Sequence, residues 1–209
     1  MRLIIAKPSP FARKVRIALR EKALACEEIV DNPWNPGAAA PSANPLGKVP
    51  ALILDDARVL YDSRVIVEYL ETLGHAPALL PVEPLARVAH RQIEALADGV
   101  SDAIVLIVLE RSRAPELRSR DWIDRQSAKI DRGLIEAERL LGVREWLTDF
   151  GFGLADVSLG CALGYASLRV PEVAWRARHP ALARFSDRVE ARASFAATRP
   201  ELQAIDAVR

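Results

Sequence analysis

Cysteine is scarce in this chain of 209 residues. The two present, Cys26 and Cys161, stand far apart in different predicted elements, with neither CxxC spacing nor a histidine cluster beside them. That pattern excludes a disulfide framework and a zinc site and leaves two reduced, packed thiols. Excess charge of either sign is also missing. Lys and Arg number 29 against 28 Asp and Glu, a formal net charge of +1, so nothing electrostatic argues for nucleic acid or an anionic membrane as a partner. No run of about eighteen apolar residues is present, and the first residues carry no apolar stretch followed by a small-residue cleavage site. The expectation is a cytoplasmic protein with no membrane association. His75, His90 and His179 are scattered; no metal site is expected, and none of the three is assigned to catalysis.

What is present begins with "RLIIA" running straight into "KPSPFARKVRIAL". The first is a short apolar run suited to a buried strand. In the second, Val15, Ala18 and Leu19 fall at helical spacing. Pro10 suits the first helical position, where no N–H bond is lost, and Ser9 suits the cap. Ser9 is thereby placed at the positive end of a helix dipole, beside the end of a buried strand. A capped helix explains these residues without any chemistry, so the rest of the chain has to decide. Arg13, Lys14 and Arg16 read either as a solvated face or as a source of positive potential near Ser9.

"EEIV" at 27–30 reads as a second strand, completing a βαβ opening. The stretch "DNPWNPGAAAPSANPLGKVP" is loaded with Pro, Gly and Asn and reads as a long connection with one helical turn at 38–43. A loop of this length in a compact domain points to function. "ALIL" and "RVLY" read as an antiparallel hairpin across an Asp-Asp turn, and Ser63 then caps a helix with Ile66, Val67 and Leu70 on one face. "LGHAPALLPVEP" is a linker, and beyond it come four long helical patterns and no convincing strand. The fold class expected is an α/β domain (βαβ-ββα) over 1–76 followed by an all-α helical domain over 85–209. Within the latter, Gly153 as helix cap places Asp156 three positions on, able to reach back to the cap N–H, with Phe152 and Val157 flanking as a hydrophobic staple. This is a folding device.

Four stretches, "SPFARKVRIAL", "NPLGKVPALI", "LYDSRVIVEYL" and "GFGLADVSL", taken in that order and spacing, make the chain similar to the cytosolic glutathione transferases over essentially its whole length. It looks most like the bacterial branch with serine at the catalytic position, a match strengthened by "IEALADGVSDA" and "GCALGYASLR". The resemblance implies a thioredoxin-like first domain. Redox proteins of that fold place Cys-Pro-x-Cys at this strand-to-helix turn, where the helix end stabilises a thiolate. Here the four positions read Ser9-Pro10-Phe11-Ala12, so the thiol would come from glutathione, a co-substrate, with no covalently bound cofactor. Ser9 would donate a hydrogen bond to the bound thiolate. Lowering a thiol from about 8.5 to about 6.5 requires roughly 2.7 kcal/mol of preferential thiolate binding, within reach of a charge-assisted hydrogen bond and a helix end.

By the same resemblance Pro50 is cis and Val49 pairs with the cysteinyl backbone of glutathione, while Lys48 approaches its glycyl carboxylate. Asp62 and Ser63, at a helix start, would hold the γ-glutamyl end; most of the family carries Glu or Gln where Asp62 stands. A second substrate, a small hydrophobic electrophile, would lie between Lys7, Pro8 and Phe11 on one side and Val100, Ile104 and Ile107 on the other, a stripe that plain core packing also explains. The family is homodimeric. Conjugation of glutathione is the leading activity; peroxide reduction needs only the same thiolate, and a non-catalytic regulatory protein could keep the same fold.

Overall fold

The computed structural model describes residues 1–203. The chain divides into two compact units, one formed by residues 1–79 together with the segment from Ala193, the other by Leu80–Arg192.

In the first unit, β1 (Arg2–Ile5), α1 (Pro10–Glu21) and β2 (Glu27–Val30) form the βαβ opening, followed by a short α2 (Ala40–Ala43), the strands β3 (Ala51–Ile53) and β4 (Val59–Leu60), and α3 (Ser63–Thr72). The sheet order is β2-β1-β3-β4. β1 and β2 run parallel as far as the pair Ile5 and Val30. β3 is antiparallel to β1, with Ala51 opposite Ile4, and β4 is antiparallel to β3, with Leu60 opposite Leu52. Val15, Ile17, Ala18 and Leu19 of α1 and Ile66, Val67 and Leu70 of α3 are buried with Leu3, Ile5 and Leu52 of the sheet, the outcome of apolar stripes at helical spacing meeting apolar strands.

The charged side of α1 is not the solvated face that was one expectation for it. Arg13 and Lys14 are 1 % exposed, and the segment from Ala193 lies against this helix at Arg13. Its short helix α9 (Ala193–Ala196) buries Phe195 completely. The Arg13 guanidinium donates to the Phe195 carbonyl at 3.2 Å and lies 5.1 Å from the centre of its ring. Ser194 Oγ donates to Glu21 at 2.5 Å. Arg16 and Arg20 both pair with Glu28, at 2.9 and 2.8 Å, tying β2 to the helix that precedes it. Lys22, also 1 % exposed, donates to the carbonyls of His75 and Pro77 at 2.9 and 3.0 Å and pairs with Glu71 at 2.9 Å. A buried ammonium with three oxygen partners satisfies all its donors, and it pins the segment after α3 to the end of α1. The helical domain expected over 85–209 thus differs from the observed division at its far end: α9 and the described residues after it join the first unit.

The second unit holds α4 (Pro84–Ser112), α5 (Arg120–Leu141), α6 (Leu154–Arg169), α7 (Trp175–Arg178) and α8 (Pro180–Glu190). α4 packs against both α5 and α6. Gly133 permits the close approach of α4 to α5, since a Cβ there would stand 2.4 Å from Val100 Cγ2. Asp156 completes the half box: one oxygen accepts from Gly153 N–H at 2.9 Å. The other accepts from Leu147 N–H, also at 2.9 Å, a second role that the capping pattern does not contain. His90 pins the same loop. Its Nδ1 accepts a long 3.4 Å bond from Ala155 N–H, which leaves Nε2 to donate to Thr148 Oγ1 at 2.8 Å. Phe152 does not sit in isolation as a staple: it meets Trp146 edge to face, and Arg192 lies 3.7 Å from its ring centre.

Candidate functional site

Strand direction brings the predicted glutathione residues to one end of the sheet. β1 ends there and leads into Ser9. β3 begins there, so Lys48, Val49 and Pro50 precede it. β4 ends there and leads into Asp62 and Ser63. Three segments far apart in sequence thus converge because β3 runs against both its neighbours.

Ser9 is the N-cap of α1. Its backbone is extended (φ −66°, ψ 120°), Pro10 occupies the first helical position, and Ser9 Oγ accepts from Ala12 N–H at 3.2 Å. The turn is closed by Ser9 N–H donating to the Ala6 carbonyl at 3.0 Å. A cap uses only the oxygen lone pair of a serine. The hydroxyl proton is still a donor, and among the described residues no acceptor takes it. Capping and donation to a ligand are therefore compatible in one residue.

The Val49–Pro50 peptide is cis, as the family resemblance implies. No partner among the described residues takes the Val49 N–H or C=O. The segment before them is built by Asn44, which is 2 % exposed. Its Nδ2 donates to the Lys48 carbonyl at 3.0 Å and its Oδ1 accepts from Leu46 N–H at 3.0 Å. Asp31, just after β2, accepts from Ala40 N–H at 2.8 Å and so starts α2. Neither Asn44 nor Asp31 was singled out by sequence reasoning. The signal was present for Asn44, since Asn-Pro-Leu-Gly is the composition of a turn in which the asparagine side chain bonds the backbone two residues on.

At the third segment the cap is Asp62, whose carboxylate accepts from Arg64 N–H at 2.9 Å. Ser63, expected as the cap, is instead the first residue of α3 and is 2 % exposed. The peptide joining Tyr61 to Asp62 is also cis. Asp62 and Lys48 are exposed. The four residues expected to bind a second substrate fall in different units. Phe11 is a half-buried residue of α1, and Val100, Ile104 and Ile107 are buried residues of α4, Val100 over Gly133.

Among the described residues there is no group of three or more His, Cys, Asp or Glu side chains placed to hold a metal, and no helix long and apolar enough to cross a membrane. Cys26 is half-buried and Cys161 buried, and neither is in a disulfide.

Comparison with known proteins matches residues 8–73 to the family described as glutathione S-transferase, N-terminal domain, and residues 120–188 to glutathione S-transferase, C-terminal domain. An uncharacterized GST-like protein, YibF, of Escherichia coli is 38% identical over 200 residues, spanning 96% of this chain and 98% of its own. A crystal structure of a glutathione S-transferase from Methylobacterium radiotolerans, in complex with glutathione sulfonate, is 49% identical with a TM-score of 0.94, covering 98% of this chain and 97% of that one. A glutathione transferase family member from Pseudomonas fluorescens, solved with bound S-(propanoic acid)-glutathione, is 38% identical with a TM-score of 0.82, covering 97% and 100%. With likeness of this extent, from the strand-to-helix turn at Ser9 through the last helices, the chain belongs to the glutathione S-transferase family.

Proposed function

We propose that the protein is a cytoplasmic glutathione transferase of the bacterial serine type, which binds glutathione, holds its sulfur as a thiolate and adds it to a small hydrophobic electrophile. The observation that carries this reading is Ser9: its oxygen is engaged as the helix cap while its proton is left to donate, at the N-terminus of α1. A thiolate placed there gains a charge-assisted hydrogen bond and the positive end of the helix together. Val49 supplies an unpaired N–H and C=O for the cysteinyl backbone, Lys48 meets the glycyl carboxylate, and Asp62 and Ser63 hold the γ-glutamyl end at the start of α3. Phe11, half-buried on α1, is the first unit's contact with the electrophile in this reading. The thioether bound to the Pseudomonas fluorescens relative favours addition of carbon to sulfur over peroxide reduction, whose product carries no such bond.

Glutathione titrated into the protein should give a saturable change in the fluorescence of Trp34, in the loop before α2, with matching heat by calorimetry. No heat and no fluorescence change would move the reading to a regulatory protein of the same fold. A homodimer is expected as well, with an interface above roughly 1,000 Å². Light scattering at micromolar protein should return twice the 23.0 kDa chain mass, and a monomer mass alone would sink it.

A further inference from the structure

The parallel ladder of β1 and β2 stops one rung early, and a side chain occupies the missing rung. Asp31 N–H donates to the Ile5 carbonyl at 2.7 Å. The next bond in a parallel ladder would run from Lys7 N–H to the Asp31 carbonyl. Instead Lys7 N–H donates to Gln203 Oε1 at 3.2 Å, and Gln203 Nε2 donates to the Asp31 carbonyl at 3.1 Å. A carboxamide has the acceptor and donor of a peptide group, so it fits between the strands without leaving either backbone group unpaired. Two residues earlier, Glu201 Oε2 lies 2.7 Å from Lys7 Nζ. Lys7 stands two residues before Ser9.

The segment carrying these side chains is firmly held on one side of Thr198 and loosely on the other. Up to Thr198 it is anchored by buried side chains: Ser194, Phe195 and Thr198 are buried, and Thr198 Oγ1 donates to the Ser194 carbonyl at 2.8 Å. From Arg199 to Gln203 there is no helix or strand. Leu202 is 68 % exposed, and the Lys7 and Glu201 side chains are 46 % and 63 % exposed. A pair so open to solvent is weak and exchangeable. Release of Gln203 would leave Lys7 N–H and the Asp31 carbonyl, the two halves of the absent rung, to pair with water or with each other.

We propose that Lys7 is a carboxylate-accepting corner of the electrophile site, that Glu201 and Gln203 occupy it as a strap, and that an electrophile bearing a carboxylate takes Lys7 by displacing Glu201. This rests on the transferase reading. The strap then sets specificity: a neutral electrophile gains nothing at Lys7, whereas an acidic one exchanges one carboxylate for another at the same ammonium.

The test compares 1-chloro-2,4-dinitrobenzene with 4-chloro-3,5-dinitrobenzoate. In both, the thiolate forms a carbon–sulfur bond, the carbon–chlorine bond breaks and chloride leaves with its electron pair. The readout is the ratio of kcat/KM for the acid to that for the neutral compound. Lys7→Gln should lower the ratio about five- to tenfold, and Glu201→Gln should raise it about two- to fivefold. A ratio unmoved in both variants overturns the proposal and leaves the transferase reading intact. A second measurement needs no turnover. In amide hydrogen exchange, S-(carboxyethyl)glutathione should speed exchange across residues 199–203, and S-propylglutathione should not. Equal exchange with both analogues overturns the proposal alone, whereas failure of both to bind overturns the transferase reading together with it.

Discussion

In Ser9→Ala, the thiol of bound glutathione should titrate about one to two pH units higher than in the wild type, and kcat for conjugation at neutral pH should fall about 10- to 100-fold. The size follows from losing one hydrogen bond to a charged group, about 1.5–3 kcal/mol, at about 1.4 kcal/mol for each tenfold in rate. Alanine keeps the helix end and its dipole but removes both the donor and the Oγ that accepts from Ala12 N–H. The lost cap costs about 1 kcal/mol of stability, so the variant should remain folded and the loss should appear in the pH profile of kcat. Ser9→Cys separates the two roles further. A cysteine at the start of α1 becomes a low-pKa thiolate. Offered glutathione disulfide, it should attack one sulfur, form a mixed disulfide and release glutathione, an adduct visible by intact mass and removed by reductant. Conjugation at the wild-type rate in Ser9→Ala, with no adduct in Ser9→Cys, would reduce Ser9 to a helix cap.

The largest effect on stability is expected at Asp156. Its removal in Asp156→Ala leaves the Leu147 and Gly153 N–H groups, both bonded to it, without an acceptor. At about 1–3 kcal/mol for each buried donor, and with relief of a buried charge on the other side, a net loss of about 2–4 kcal/mol should appear as a lower urea midpoint. The pH dependence is a sharper test. Burial pushes the Asp156 carboxyl up to about 6, against the pull of the Leu147 and Gly153 N–H groups. Its stabilising contribution is thus full below about 4 and is lost as pH rises through 6. Burial pushes His90 the other way, down to about 4. Its contribution is full above about 6.5 and is lost as pH falls through 4. Each displacement is worth about 3 kcal/mol at about 1.4 kcal/mol per pH unit, so between pH 4 and 6.5 the two oppose each other. Asp156→Ala removes one side of that balance. Relative to wild type, the variant should lose about 3 kcal/mol more on acidification from pH 6.5 to 4, and a stability difference independent of pH would refute the assignment.

The parts of the fold that were legible in the sequence are those with local causes. The apolar run before Ser9-Pro10, the helical spacing of Val15, Ala18 and Leu19, and the reach from Asp156 back to Gly153 each need only a few residues to be read. What could not be read depends on residues distant in the chain. Arg13 looks like part of a solvated face until Phe195 covers it, and no periodicity in "ATRPELQ" announces that Gln203 completes a rung between β1 and β2. At the candidate site the same division holds. Ser9 and the Val49–Pro50 pair were marked by turn chemistry and by resemblance. Asp31, the anchor of α2, was not, because its partner Ala40 lies across an irregular loop.

The return of the segment from Ala193 to the first unit has a consequence for how the protein is made. During synthesis the first 79 residues emerge well before Ala193, with the whole of Leu80–Arg192 between them. Until then the Arg13 guanidinium has neither the Phe195 carbonyl nor its ring, and Glu21 lacks Ser194. The first unit is therefore a sheet with one helix incompletely covered, and it is finished only by contacts of very high sequence separation, the kind that form late and slowly. A nascent chain stalled after α8 would carry every residue proposed to hold glutathione and still present an unfinished α1, a species suited to capture by a chaperone.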